Sequence, residues 1–86
     1  MTSADYVTQA IKVQLIRKGM TQKQLSEVSG LNESQLNRYF TGAREWPMRI
    51  LDAIAPALGW RDSLDIFLAA QNEKAPAATD AMSTRK

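Results

Sequence analysis

The 86-residue chain contains no cysteine and no histidine. Those absences exclude disulfides, thiolate nucleophiles, imidazole bases and nearly every zinc arrangement. Serine, lysine and aspartate are present, but nothing pairs a nucleophile with an orienting base, and no glycine-rich phosphate loop occurs. The expectation is a non-enzyme with no cofactor, no metal and no small-molecule ligand. No apolar run approaches the roughly eighteen residues that cross a bilayer, so membrane insertion is excluded. Met1 to Asp5 has neither the basic nor the apolar region of a secretory signal, which points to the cytoplasm.

What is present is the composition of one small globular domain, 44% hydrophobic and 23% charged, with length for a single small core. The net charge of +2 names no partner until it is divided along the chain. Residues 1 to 49 carry seven Lys/Arg against four Asp/Glu, residues 50 to 72 one against three, and residues 73 to 86 three against two. The first half is the basic one.

Only four glycines and three prolines punctuate the chain, and no stretch alternates with period two, so the fold class is all-α. A first helix is expected from about Ala4 to Lys18, with Val7, Ala10, Ile11 and Leu15 on one face, Ser3 as cap and Gly19 as left-handed terminator. Thr21-Gln22-Lys23-Gln24 has the reciprocal capping form and opens a second helix that runs to about Ser29. Gly30 permits a sharp reversal, Leu31 anchors it, and Asn32-Glu33-Ser34-Gln35 starts a short third helix ending near Phe40. Pro47 suits the first position of a fourth helix whose apolar set is Ile50, Leu51, Ile54, Ala55 and Leu58, with a kink or tight final turn at Pro56. Asp62 caps a fifth helix from about Ser63 to Gln71, on which Leu64, Phe67 and Leu68 share a face with Ile66 beside it. Residues 72 to 86 hold one large apolar residue, Met82, and are expected to form a disordered tail to a domain spanning residues 1 to 71.

Helix, glycine turn and second helix between Gln22 and Thr41 have the length of a helix-turn-helix. The run from Gly19 to Leu31, continued by Leu36, Phe40, Gly42 and Ala55-Pro56-Ala57-Leu58-Gly59, closely resembles the lambda repressor and Cro type of DNA-binding domain, the XRE family. The resemblance covers residues 4 to 71 and implies a compact five-helix, lambda-repressor-like bundle. It rests on Thr-Gln opening the second helix, a glycine eight residues after that Gln, and anchors at Leu25, Leu31 and Leu36.

On the third helix Leu36, Tyr39 and Phe40 can face inward, while Glu33, Ser34, Asn37, Arg38 and Thr41 recur on the opposite face. A short polar helix of this kind suits the major groove, where Arg takes guanine, Asn or Gln pairs with adenine and Glu accepts from cytosine. The bland alternative is a solvated helix face. The residues assigned to base reading are Glu33, Ser34, Gln35, Asn37 and Arg38. Those assigned to phosphate are Gln22, Lys23, Asn32, Thr41, Arg44 and Arg49. Similarity to the family implies that Gln22 binds a phosphate and braces the start of the third helix, and the helix dipole independently favours a phosphate there. Two departures stand out. Glu33 occupies a position where the family often has Gln, and no Lys or Arg precedes Lys12, so a basic N-terminal arm is missing.

Trp46 and Trp60, at the two ends of the fourth helix, are assigned to packing. Leu64, Ile66, Phe67 and Leu68 exceed what one helix face can hide in a small domain, and a homodimer through Leu64, Phe67 and Leu68 is a second use of the fifth helix. The leading reading is a sequence-specific regulator that binds an operator in double-stranded DNA, of the phage Cro or repressor kind, acting at the nucleoid of a bacterial host. Two readings stay beside it: an antitoxin that binds a toxin and autoregulates, and a protein-binding module with no DNA contact.

Overall fold

The computed structural model describes residues 2–74, and among them every regular element is helical. The order is α1 (Ser3–Lys18), α2 (Gln22–Ser29), α3 (Glu33–Phe40), α4 (Met48–Ile54), a 3₁₀ turn (Pro56–Leu58) and α5 (Ser63–Lys74). The expected five-helix, all-α architecture is therefore present. The part of the expected tail from residue 75 onward lies outside the described residues.

Helix starts follow hydrogen-bond accounting, and this moves several expected boundaries. The cap of α1 is Thr2, not Ser3. The Thr2 hydroxyl accepts the Asp5 N–H at 3.2 Å while the Asp5 carboxylate accepts the Thr2 N–H at 2.8 Å. That box satisfies two orphan donors, so the helix gains a residue. Thr21 and Gln24 make the same reciprocal pair at 3.1 and 2.9 Å, as expected. At α3 only half of the pair forms: Asn32 accepts the Gln35 N–H at 3.2 Å, but the Gln35 amide turns instead to the Tyr39 hydroxyl at 3.1 Å. Pro47 is the cap of α4 and not its first residue. Its ψ of 150° keeps it extended, and its carbonyl accepts the Ile50 and Leu51 N–H groups, both at 3.1 Å.

The ends of α1, α2 and the 3₁₀ turn share one device, a left-handed glycine. Gly30, at φ +75°, closes α2, and the next residue's N–H, that of Leu31, reaches back to the Ser26 carbonyl at 3.0 Å. Only glycine takes this left-handed conformation without steric penalty. Met20 bonds to Leu15 and Trp60 to Ala55 in the same way, each at 2.9 Å. Met20, Leu31 and Trp60 are all half-buried against the core, so each glycine turn also delivers an apolar residue to the interior. Pro56 has no N–H for the Asp52 carbonyl, and the chain tightens there into the 3₁₀ turn.

The core takes Ile11 from α1, Leu25 from α2, Leu36 from α3, Ile50 and Ile54 from α4, Leu58 from the 3₁₀ turn and Ile66 from α5, all fully or almost fully buried. On α5, where Leu64, Phe67 and Leu68 were expected to share a face with Ile66 beside it, the buried side is the one that carries Ile66. Ile66 and Ala70 point inward and Phe67 is half-buried, whereas Leu64 and Leu68 remain 61% and 60% exposed. The partner surface sets this: α5 packs chiefly on α1, and Ser63, Ile66 and Ala70, three and four residues apart, form its buried row. The helix also continues three residues beyond the expected end at Gln71. Near that end Glu73 accepts a hydrogen bond from Gln9 of α1 at 3.0 Å.

Candidate nucleic-acid interface

The glycine turn at Gly30 sets α3 beside α2. Buried Leu25 and Leu36 lock the pair together. With Leu36, Tyr39 and Phe40 committed to the interior, Glu33, Ser34, Asn37, Arg38 and Thr41 are exposed, as the helical spacing requires. Gln22, the first residue of α2, faces this surface, and its amide donates to the Asn37 side-chain oxygen at 3.4 Å. Gln22, Glu33, Ser34, Asn37 and Arg38 border one shallow hollow. Four of the five residues assigned to base reading thus meet the Gln22 assigned to phosphate.

Gln35 is the exception. It is half-buried, bonded to the Tyr39 hydroxyl, and turned toward a neighbouring cavity of about 440 Å³. That cavity is bordered by Asn32, Ser34, Arg38, Tyr39, Arg44, Glu45, Pro47 and Arg49 as well as Gln35. Arg38 and Ser34 line both hollows and form the ridge between them. Three arginines therefore surround one concave surface next to the exposed face of α3. The ion pair present among the described residues is Arg61 with Asp65, at 3.5 Å, so Arg38, Arg44 and Arg49 carry charge with no carboxylate in ion-pair contact.

The loop that carries Arg44 is rigidly tied. Its backbone returns to α3 through the Arg44 N–H to the Arg38 carbonyl at 3.1 Å. Trp46 then plugs it into the fold, with its ring 5.1 Å from both Tyr39 and Phe40 and edge-on to the latter. The indole N–H donates to the Thr8 hydroxyl of α1 at 2.8 Å. Trp46 thus has the packing role expected of it, in the loop between Arg44 and Arg49.

Two assigned residues lie elsewhere. Lys23 is exposed on α2 beside Gln22 and borders neither hollow. Thr41 donates to the Arg38 carbonyl at 3.3 Å and lies with Gly42 against Asp5, Thr8, Gln9 and Lys12 of α1, away from the hollow beneath Asn37. Asn32 contributes its oxygen to the helix cap, leaving only its amide hydrogens for a ligand. Sequence reading missed the Tyr39 hydroxyl and Glu45 in the arginine-lined cavity. The one signal was that an inward position holds Tyr and not Phe, which places a polar tip at the edge of the core. Of the three residues assigned to a dimer, Leu64 and Leu68 are exposed and Phe67 packs toward Tyr6 and Val7.

Among the described residues no cluster of His, Cys, Asp or Glu could hold a metal ion, and no helix is long and apolar enough to cross a membrane. Comparison with solved structures finds the clp gene regulator ClgR from Corynebacterium glutamicum. The two are 22% identical and superpose with a TM-score of 0.75 over 99% of this chain and 89% of that one. No curated protein matches the chain. The family model of the Cro/C1-type HTH DNA-binding domain matches residues 10–61, more than half the chain and the whole of the α2-turn-α3 unit. The chain belongs to the Cro/C1-type helix-turn-helix DNA-binding family.

Proposed function

We propose that this protein is a sequence-specific transcription regulator that docks α3 in the major groove of an operator and represses by occupying it. The observation that carries the reading is the pairing of two surfaces. One is the exposed polar face of α3, with Gln22 bonded to Asn37 at its base. The other is the cavity ringed by Arg38, Arg44 and Arg49. The first offers the donors and acceptors that base edges require, and the second offers cations without carboxylate partners, which flanking phosphates require. In this reading Glu33, Ser34, Asn37 and Arg38 face bases. Gln22, Lys23, Arg44 and Arg49 face the backbone, and Gln35 positions Tyr39 in place of touching a base.

A homodimer through α5 is favoured by one observation: Leu64 and Leu68 stand one turn apart and well exposed. A dimer would place two copies of α3 on half-sites about 34 Å apart. The test is selection of the purified protein on a randomised duplex library, with a salt titration on the best site. An enriched motif and a steep salt slope are expected, and the symmetry of the motif reports the stoichiometry. Retention with no enriched motif would remove the base-reading role of α3.

A further inference from the structure

Glu33 is the one group on the reading face whose chemistry runs against a DNA surface. It is exposed at the first position of α3 and borders the hollow shared by Gln22, Ser34, Asn37 and Arg38. None of these neighbours neutralises it. Gln22 directs an amide hydrogen to Asn37 and makes no hydrogen bond to Glu33. Arg38 is not in ion-pair contact, because the ion pair among the described residues is Arg61 with Asp65. Asn32 beside it gives its oxygen to the Gln35 N–H. A carboxylate held this way can only accept hydrogen bonds.

We propose that Glu33 is the specificity-determining residue at one position of the DNA site, where it selects cytosine through the N4 amino group. This rests on α3 being the base-reading helix. The major-groove edges of the four bases leave one partner that suits a carboxylate. Guanine presents two acceptors, thymine an acceptor and a methyl group, and adenine a donor directly beside an acceptor. Cytosine alone presents a donor with no acceptor next to it on the same base. A carboxylate set against guanine or thymine meets an acceptor or an apolar group, and against adenine an acceptor directly beside the donor, while also facing the phosphate charge. Glu33 thus works by penalty as much as by attraction, lowering affinity for every sequence that does not supply the amino group. The neighbouring groups add donors: Arg38 is donor-only, and Asn37, whose oxygen accepts from Gln22, still carries two amide hydrogens. The face therefore reads a cytosine next to acceptor-rich guanine or thymine edges.

The test compares the wild-type protein with E33Q and E33A by library selection, then measures affinity for the selected site and for a non-cognate duplex. Both variants change an exposed side chain, and a thermal melt checks that they fold. Wild type is expected to enrich a motif with one invariant C:G pair. E33Q should lose the preference at that pair alone, a drop in discrimination of about tenfold to a hundredfold, and E33A should bind the non-cognate duplex more tightly than wild type does. In a site where that cytosine is replaced by pyrimidin-2-one, which lacks the amino group, wild type should lose affinity by a similar factor relative to E33A. If both variants keep the wild-type motif at every position, or E33A weakens all duplexes equally, Glu33 is only part of the helix start and the proposal fails while DNA reading by α3 stands. A wild-type protein that enriches no motif overturns both.

Discussion

At the scale of single residues, the molecule separates groups that hold α3 in place from groups that face outward from it. Leu36 has no solvent exposure and lies between α2, α3 and the rest of the core. Truncation to alanine leaves a cavity the surrounding helices cannot close, so Leu36→Ala should cost about 2 to 5 kcal/mol. A urea melt measures this directly, and an unchanged midpoint would mean that Leu36 does not fill the α2–α3 interface. Arg38 and Lys23 are both exposed cations one helix apart, yet they should fail differently. Arg38→Ala is expected to cost about 1 to 3 kcal/mol on the selected site and to relax discrimination at one base pair. Lys23→Ala should weaken all sequences alike and lower the slope of log affinity against log salt by about 0.9. Fluorescence anisotropy on cognate and scrambled duplexes separates these outcomes, and identical losses on both duplexes for Arg38→Ala would move it to the phosphate group. The sequence made the inward and outward sides of α3 legible, because helical spacing alone assigns them. It did not reveal that Gln35 bonds to Tyr39 in preference to its own helix cap, since that choice depends on where the Tyr39 hydroxyl emerges from the core.

At the scale of elements, the helix starts are where acid should act. Two N–H groups of the Thr2–Asp5 box depend on each other, and the hydrogen bond from the Thr2 backbone holds the Asp5 carboxyl below the usual carboxylate range. At the start of α5 the Arg61 backbone N–H does the same for Asp65, with the Arg61 guanidinium assisting. Both folded-state values lie below the unfolded value, so the stabilisation is present above about pH 4 and is lost as the pH falls through the folded-state values. Amide exchange should therefore show the first turns of α1 and α5 opening below about pH 4 while the centre of α3 stays protected. Equal protection of both starts at about pH 5 and at about pH 2.5 would refute this. Asp52 ties two elements, accepting the Ser63 N–H at 2.9 Å across the α4–α5 junction. Asp52→Ala should cost about 0.5 to 2 kcal/mol in a thermal melt, the range for losing a helix cap. That contact was not legible, because Asp52 lies eleven residues before the N–H it caps and no local pattern links them.

At the scale of the whole molecule, the bundle places its two prominent surfaces on different helices. The polar face of α3 and the arginine-lined cavity adjoin one another, whereas the exposed leucines lie on α5, which packs on α1. The proposed reading surface and the proposed pairing surface can therefore be separated by mutation. Leu64→Glu together with Leu68→Glu should shift the melting temperature by no more than about 4 to 8 °C, since each surface change usually alters stability by less than about 0.5 kcal/mol. The same double variant should convert a symmetric footprint into a single half-site, which sedimentation and footprinting would both detect. An unchanged footprint and an unchanged sedimentation coefficient would exclude α5 as the pairing surface.

The sequence by itself determined the helix-turn-helix unit, because caps, left-handed glycines and apolar spacing all act within a few residues of each other. It likewise determined the outward set Glu33, Ser34, Asn37 and Arg38. The tertiary structure decided what depends on distant partners. It chose Ile66 and not the leucines as the buried face of α5, because α1 supplies the surface that row must fit. It made Trp46 the anchor of the arginine-bearing loop through Thr8, thirty-eight residues away in the chain. It paired Gln22 with Asn37 and left Glu33 unpaired, since which polar groups meet is settled only when α2 and α3 are packed against a common core.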